Sequence, residues 1–92
     1  MGFKLSSFWT VKFTATFKRG FKRLSEEVKQ RVETAIETLL SSENPGKEGH
    51  MLHGQWEGCY SYEIGLKYRL IYRVKFERKE IEFLAVGTHK IY

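Results

Sequence analysis

The most regular pattern in the chain lies at residues 67–76, Lys67-Tyr68-Arg69-Leu70-Ile71-Tyr72-Arg73-Val74-Lys75-Phe76. The even-numbered positions are all apolar or aromatic, whereas four of the five odd-numbered positions are basic. Such a period of two predicts a β-strand with one face on a core and the other toward water. The water-facing side is then basic, which suits the phosphate backbone of a nucleic acid.

Two further strands are predicted around this one. Residues 56–63 also alternate with a period of two, beginning at Trp56. The charged residues 77–80 predict a turn, and residues 81–86 predict a last strand that Gly87 ends. The C-terminal half is therefore expected to be a three-stranded antiparallel meander, preceded by a turn at residues 44–46 and a loop that contains His50.

The N-terminal half predicts one strand and two helices. Residues 8–15 are rich in β-branched and aromatic side chains, as in a strand. Thr16 is the expected cap of a short helix, and Ser25 is the expected cap of a second helix that ends near residues 41–42. The second helix has an apolar stripe at Val28, Val32, Ala35, Ile36, Leu39 and Leu40. This order predicts an α+β sandwich, with the helices on one face of an antiparallel sheet.

Composition limits the class of protein. The chain has 92 residues, 41% hydrophobic and 15% aromatic, so we expect one domain over residues 1–92. The net charge of +5 favours polyanionic partners. No apolar run approaches the roughly 20 residues of a membrane helix, and residues 1–5 lead into no signal-peptide core. Cys59 is the one cysteine and has no disulfide partner, so we expect a cytoplasmic location and no membrane partner.

Three motifs occur in an order that resembles a known family. They are Gly49-His50-Met51-Leu52-His53-Gly54-Gln55-Trp56-Glu57-Gly58, Tyr68-Arg69-Leu70-Ile71-Tyr72 and Val86-Gly87-Thr88-His89. They resemble the H-x-L-x-G-x-W-x-G segment, the R-L-I-Y strand and the G-T-H ending of the RelE/ParE toxin superfamily, in particular its YafQ-like branch. The resemblance implies a microbial-RNase-like α+β fold. It also implies the toxin half of a type II toxin–antitoxin pair, with a cognate antitoxin as partner.

The same resemblance implies ribosome-dependent cleavage of mRNA without a metal or another cofactor. Such cleavage needs a base for the ribose 2′-OH, an acid for the leaving 5′ oxygen and cations for the crowded phosphoryl group. We expect a catalytic role for five residues, namely His50, Arg69, His89, Glu63 and Tyr92. We expect RNA contacts from five others, namely Lys67, His53, Arg73, Lys75 and Lys47. The simpler interpretations are solvated surface residues, or a frayed terminus for His89 and Tyr92.

The chain departs from the YafQ-like pattern at three positions. Glu63 stands where those toxins have a histidine, and Lys67 stands where they have an aspartate. Tyr92 follows His89 by three residues instead of four. These departures keep two alternatives open, a ParE-like inhibitor of DNA gyrase and a degenerate member that binds only its antitoxin or operator DNA. Glu63 and Lys67 then form no more than a surface pair.

Overall fold

The computed structural model describes residues 9–88 and residue 90. The two helices are α1 (Ala15–Lys22) and α2 (Glu26–Leu40). The five strands are β1 (Thr10–Phe13), β2 (His50–Met51), β3 (Tyr60–Ile64), β4 (Tyr68–Lys75) and β5 (Glu80–Thr88). Short 3-10 helices cover Pro45–Glu48, Gly54–Trp56 and Phe76–Arg78. The predicted α+β class is therefore confirmed, with one more strand than expected.

The five strands form one sheet in the order β1-β5-β4-β3-β2. The pairs β2–β3, β3–β4 and β4–β5 are antiparallel, but β1 runs parallel to β5. The expectation of a purely antiparallel sheet was therefore wrong. No tight turn joins β1 to β5, and the long connection through both helices allows the parallel pairing.

Of the two predicted N-cap residues, the one for α1 is wrong and the one for α2 is confirmed. Thr14, and not Thr16, caps α1, because its Oγ1 accepts a hydrogen bond from the Phe17 N–H at 3.0 Å and donates to the Leu84 carbonyl at 2.8 Å. The second of these bonds ties the helix start to β5. Ser25 caps α2 as predicted, since its Oγ accepts from the Val28 N–H at 3.3 Å.

The main core lies between the helices and one face of the sheet. Its fully buried members are Phe17, Val32, Ile36, Leu39, Leu70, Tyr72, Ile81 and Phe83. The predicted stripe of α2 is confirmed, with Val28 only partly buried. Burying a side chain of this size contributes about 1.5–3 kcal/mol, whereas an exposed helix pair such as Arg31–Glu27 contributes about 0.3–0.5 kcal/mol. The core, not the surface ion pairs, therefore dominates stability.

The opposite face of the sheet, here called the outer face, is less open than predicted. Ile71 projects from it and is fully buried, together with Cys59 and Ala85. Leu52 and Trp56 pack over this second cluster. The segment between β2 and β3 therefore folds back across the middle of the outer face, and the basic side chains are confined to either side of it.

A β-bulge shapes the pairing of β4 with β5. Ile71 pairs with Ala85 and Tyr72 pairs with Phe83, which leaves Leu84 as the extra residue. Beyond the bulge, β5 continues through Gly87 to Thr88, so Gly87 does not end the strand as predicted. Neither described helix reaches the length and apolarity that crossing a membrane requires.

Candidate functional site

Arg69 occupies the centre of a row that crosses three strands. Its register partners are Glu63 on β3 and Gly87 on β5. Side chains of directly opposite residues share a face, with Cβ atoms about 4.5–5.5 Å apart. The sheet therefore sets a carboxylate on one side of the half-buried Arg69 and no side chain on the other. A glycine at such a position lets a ligand approach the sheet closely.

His50 belongs to the neighbouring row of the outer face. The prediction that it lies in a loop was wrong, because His50 is the first residue of β2 and pairs with Ser61. Ser61 in turn pairs with Ile71. Since Glu63 is two residues beyond Ser61 on β3, exposed His50 and Glu63 are diagonal neighbours on one face, about 7–8 Å apart at Cα.

The position of β2 depends on Gly49 and Tyr72. A Cβ at Gly49 would lie 2.6 Å from the Tyr72 Oη and 2.7 Å from the Ser61 carbonyl oxygen, so only a glycine lets the chain approach this closely. The Tyr72 hydroxyl donates to the Pro45 carbonyl at 2.7 Å. Burial, followed by the nearby Tyr60, raises the pKa of Tyr72. The hydroxyl therefore stays a donor and holds the loop that leads into β2.

The other predicted residues near this row are found at its margins. Lys67 is exposed in the turn between β3 and β4 and shares a shallow depression of about 370 Å³ with Thr88 and Lys90. His53 is exposed just before the Gly54–Trp56 helix, and Lys47 is exposed on the Pro45–Glu48 helix. His89 and Tyr92 lie outside the described residues.

Arg73 and Lys75 lie at the far end of the outer face, beyond the apolar cluster. Lys75 Nζ is 3.5 Å from Glu80 Oε2 and 3.5 Å from Glu82 Oε1. Exposed Arg73 pairs with Glu82 in the register, and its Nη2 donates to Cys59 Sγ at 3.4 Å. The outer face is therefore less basic at this end than expected, because β5 places two carboxylates opposite these cations.

A cleft of about 680 Å³ lies next to the Arg69 row and was not predicted. It lies at the edge of β5, between α1 and the Gly54–Trp56 helix, and we call it the edge cleft. Its lining includes Arg19, Arg23, Trp56, Tyr68, Gly87 and Thr88. The four-residue spacing of the two arginines puts them on one face of a helix. The spacing of Arg19 and Arg23 is the sequence feature that could have predicted this pair of cations.

This arrangement can be compared with known proteins. The family model described as the ParE toxin of type II toxin–antitoxin systems, parDE, matches residues 8–91. The chain belongs to this toxin family. Its expected membership in the RelE/ParE superfamily is thereby confirmed.

Solved structures agree with the family assignment. A chain of the RelBE2 toxin–antitoxin complex from Mycobacterium tuberculosis is 30% identical, with a TM-score of 0.75 over 88% of this chain and 98% of that one. The intact E. coli RelBE complex gives a TM-score of 0.74 at 20% identity, covering 89% and 98% of the two chains. E. coli YafQ gives 0.71 at 17% identity, covering 88% and 93%. The last two likenesses concern the fold alone. The chain has no significant match among curated protein sequences.

Proposed function

We propose that the chain is a toxin that cleaves mRNA on the ribosome by metal-independent attack of a ribose 2′-OH. The observation that carries this proposal is the row of Glu63, Arg69 and Gly87, with His50 in the adjacent row. It provides a cation, a carboxylate and an imidazole on one face, beside a gap that the glycine leaves. A protein that only binds a partner has no need for this combination.

Each residue has a role in the proposed reaction. Glu63 takes the proton from the 2′-OH, and the oxygen then attacks the adjacent phosphorus. Arg69 holds two phosphoryl oxygens through its planar fork and stabilises the charge of the transition state. His50 and His89 are the candidate acids for the leaving 5′ oxygen. The resemblance supports a role for Tyr92 in stacking on a base or orienting the phosphate.

The remaining cations are assigned to RNA contacts of unequal weight. Lys67 adjoins the Arg69 row through the β3–β4 turn and is the strongest of them. Lys47 is exposed on the short helix before β2, and His53 is exposed just before the short helix that follows β2. Arg73 and Lys75 contribute less, because Glu80 and Glu82 offset their charge. Family membership supports a cognate antitoxin as the protein partner, and the ribosome with its mRNA as the target.

A cell-free translation reaction tests the proposal. A defined mRNA is translated with the wild type, with an Arg69→Ala/His89→Ala variant and with Arg78→Ala as a matched control, and breaks are mapped by primer extension. Arg78 is exposed on the Phe76–Arg78 helix, away from the Arg69 row. Breaks within the reading frame are expected with the wild type and with Arg78→Ala, and none with the double variant. Intact mRNA with the wild type would overturn the proposal.

Inhibition of DNA gyrase is the second candidate, because the matching family model is that of ParE. A gyrase supercoiling assay with the same three proteins separates the two functions. Inhibition by all three proteins together with intact mRNA would favour the ParE-like activity, since gyrase binding does not need the proton-transfer groups.

A further inference from the structure

We propose that the edge cleft binds one unpaired ribonucleotide of the RNA strand, adjacent to the phosphate held by Arg69. The base would stack on Trp56, and a neighbouring phosphate would lie between Arg19 and Arg23. The inference rests on the proposed function and names a substrate subsite for it. Its support comes from the open edge of β5, the charge of the cleft and its continuity with the Arg69 row.

The open edge of β5 supplies backbone hydrogen-bonding groups. β1 pairs with β5 only along Glu80–Phe83, so no described strand flanks residues 85–88 on that side. Gly20 of α1 approaches the Val86 carbonyl so closely that a Cβ there would collide with the oxygen. The Val86 backbone therefore points toward this edge, and so does that of Thr88, because alternate residues of a strand share an edge. Thr88 thus offers a donor and an acceptor to the edge of a base.

The lining of the edge cleft suits an anion that carries an aromatic ring. Arg19 is exposed on α1, exposed Arg23 caps the C-terminus of that helix, and no acidic side chain is among the described residues that line the cleft. Trp56 is half-buried, and its indole nitrogen is buried without a hydrogen-bond partner in the described part of the chain. Stacking of a base on an aromatic ring contributes about ten-fold or more to affinity. The volume of about 680 Å³ is typical of small-ligand sites.

The position of the edge cleft favours RNA over a protein segment. Gly87 lines the cleft and is also the register partner of Arg69. A strand whose phosphate lies on Arg69 therefore reaches the cleft within about one nucleotide, since Gly87 is on the neighbouring strand, about 4.8 Å away. An acidic peptide would match the arginines and pair with the backbone edge of Thr88, but a nucleotide joins an aromatic ring directly to an anion and so also gives Trp56 a stacking partner.

Fluorescence of Trp56 provides a direct test, because the chain has two tryptophans and Trp9→Phe leaves Trp56 as the one reporter. The probe is an uncleavable 2′-O-methyl oligoribonucleotide. We expect saturable quenching, and an affinity about ten-fold weaker in an Arg19→Gln/Arg23→Gln variant. The matched control is Lys18→Gln/Lys22→Gln, which removes the same charge from α1 outside the cleft lining. In the chain that retains Trp9, Trp56→Phe should abolish the quenching, and this measurement does not depend on the Trp9 substitution.

The outcomes separate this inference from the proposed function. Absence of quenching, or equal weakening by the two double variants, would overturn the edge cleft as a nucleotide site. Quenching by an acidic peptide but not by the oligoribonucleotide would overturn it as well. If mRNA is cut in translation but Trp56 does not respond, only the cleft assignment fails. If Trp56 responds as expected but mRNA stays intact, the cleft assignment holds and the nuclease proposal fails.

Discussion

Arg69 lies directly opposite Glu63, and the two residues belong to the antiparallel strands β4 and β3. The pairing puts a carboxylate next to the cation that is proposed to hold the scissile phosphate. A general base placed there is close to the 2′-OH once the phosphate is bound. The glycine on the other side of Arg69 keeps that approach open.

Glu63→Gln tests this role at nearly constant side-chain shape. We expect the cleavage rate on programmed ribosomes to fall about 10²–10⁴-fold, because a positioned general base contributes that factor. The rate is measured in single turnover with toxin in excess. Glu77→Gln is the matched control, since Glu77 is exposed on the Phe76–Arg78 helix. A Glu63→Gln rate within a few-fold of the wild type would exclude Glu63 as the base.

Tyr72→Phe should change both the stability and its dependence on pH. Loss of the hydrogen bond to the Pro45 carbonyl is expected to lower the free energy of unfolding by about 1 kcal/mol near neutral pH. Burial raises the pKa of Tyr72 in the folded chain, so its contribution is full below about pH 10 and is lost as the pH rises further. Urea unfolding at several alkaline pH values measures both effects. The wild type should lose its advantage over Tyr72→Phe as the pH rises above about 10, and a difference that stays constant would contradict this account.

Gly49→Ala should disturb β2 without imposing backbone strain, because Gly49 has an extended backbone with φ −126°. The added methyl group meets the Tyr72 hydroxyl and the Ser61 carbonyl oxygen. We expect a loss of about 1–3 kcal/mol from overpacking, as measured by thermal unfolding. Cleavage should also weaken, because His50 is displaced with β2. Met51→Ala, at an exposed position of the same strand, should leave stability within about 0.5 kcal/mol of the wild type.

Ser61→Ala is expected to stabilise the chain. Ser61 is 2% exposed, and its Oγ has no hydrogen-bond partner in the described part of the chain. Removing a buried hydroxyl that makes no hydrogen bond should raise the free energy of unfolding by about 1 kcal/mol. Urea unfolding of the two proteins measures the change. A less stable Ser61→Ala protein would mean that the hydroxyl is satisfied in solution.

Local patterns predicted the parts of the fold that burial dictates. The alternation of β4 and the apolar stripe of α2 both follow from which face of an element is covered, and that information is carried within a few residues. The cap at Ser25 is local in the same way. The choice between Thr14 and Thr16 was not local, because the Leu84 carbonyl, distant in the chain, accepts the Thr14 hydroxyl.

Most of the wrong predictions concern features that depend on pairing between strands distant in the sequence. The parallel direction of β1 and the inclusion of His50 in a strand depend on partners that no local period specifies. The carboxylates beside Lys75 follow from the register of β5 in the same way. Arg69 was placed on the outer face by its own alternation, so the centre of the candidate site could be predicted. The catalytic roles of His89 and Tyr92 remain predictions from the resemblance.

The β-bulge at Leu84 has a consequence for what stands next to Arg69. If Leu84 were instead paired with Ile71, the register of Tyr72 with Phe83 would continue in step, and Arg69 would lie opposite Val86 instead of Gly87. A branched side chain would then fill the gap beside the guanidinium, and every later residue of β5 would exchange faces. The unpaired residue thus decides that a glycine, and not a branched side chain, stands beside the arginine that is proposed to hold the phosphate.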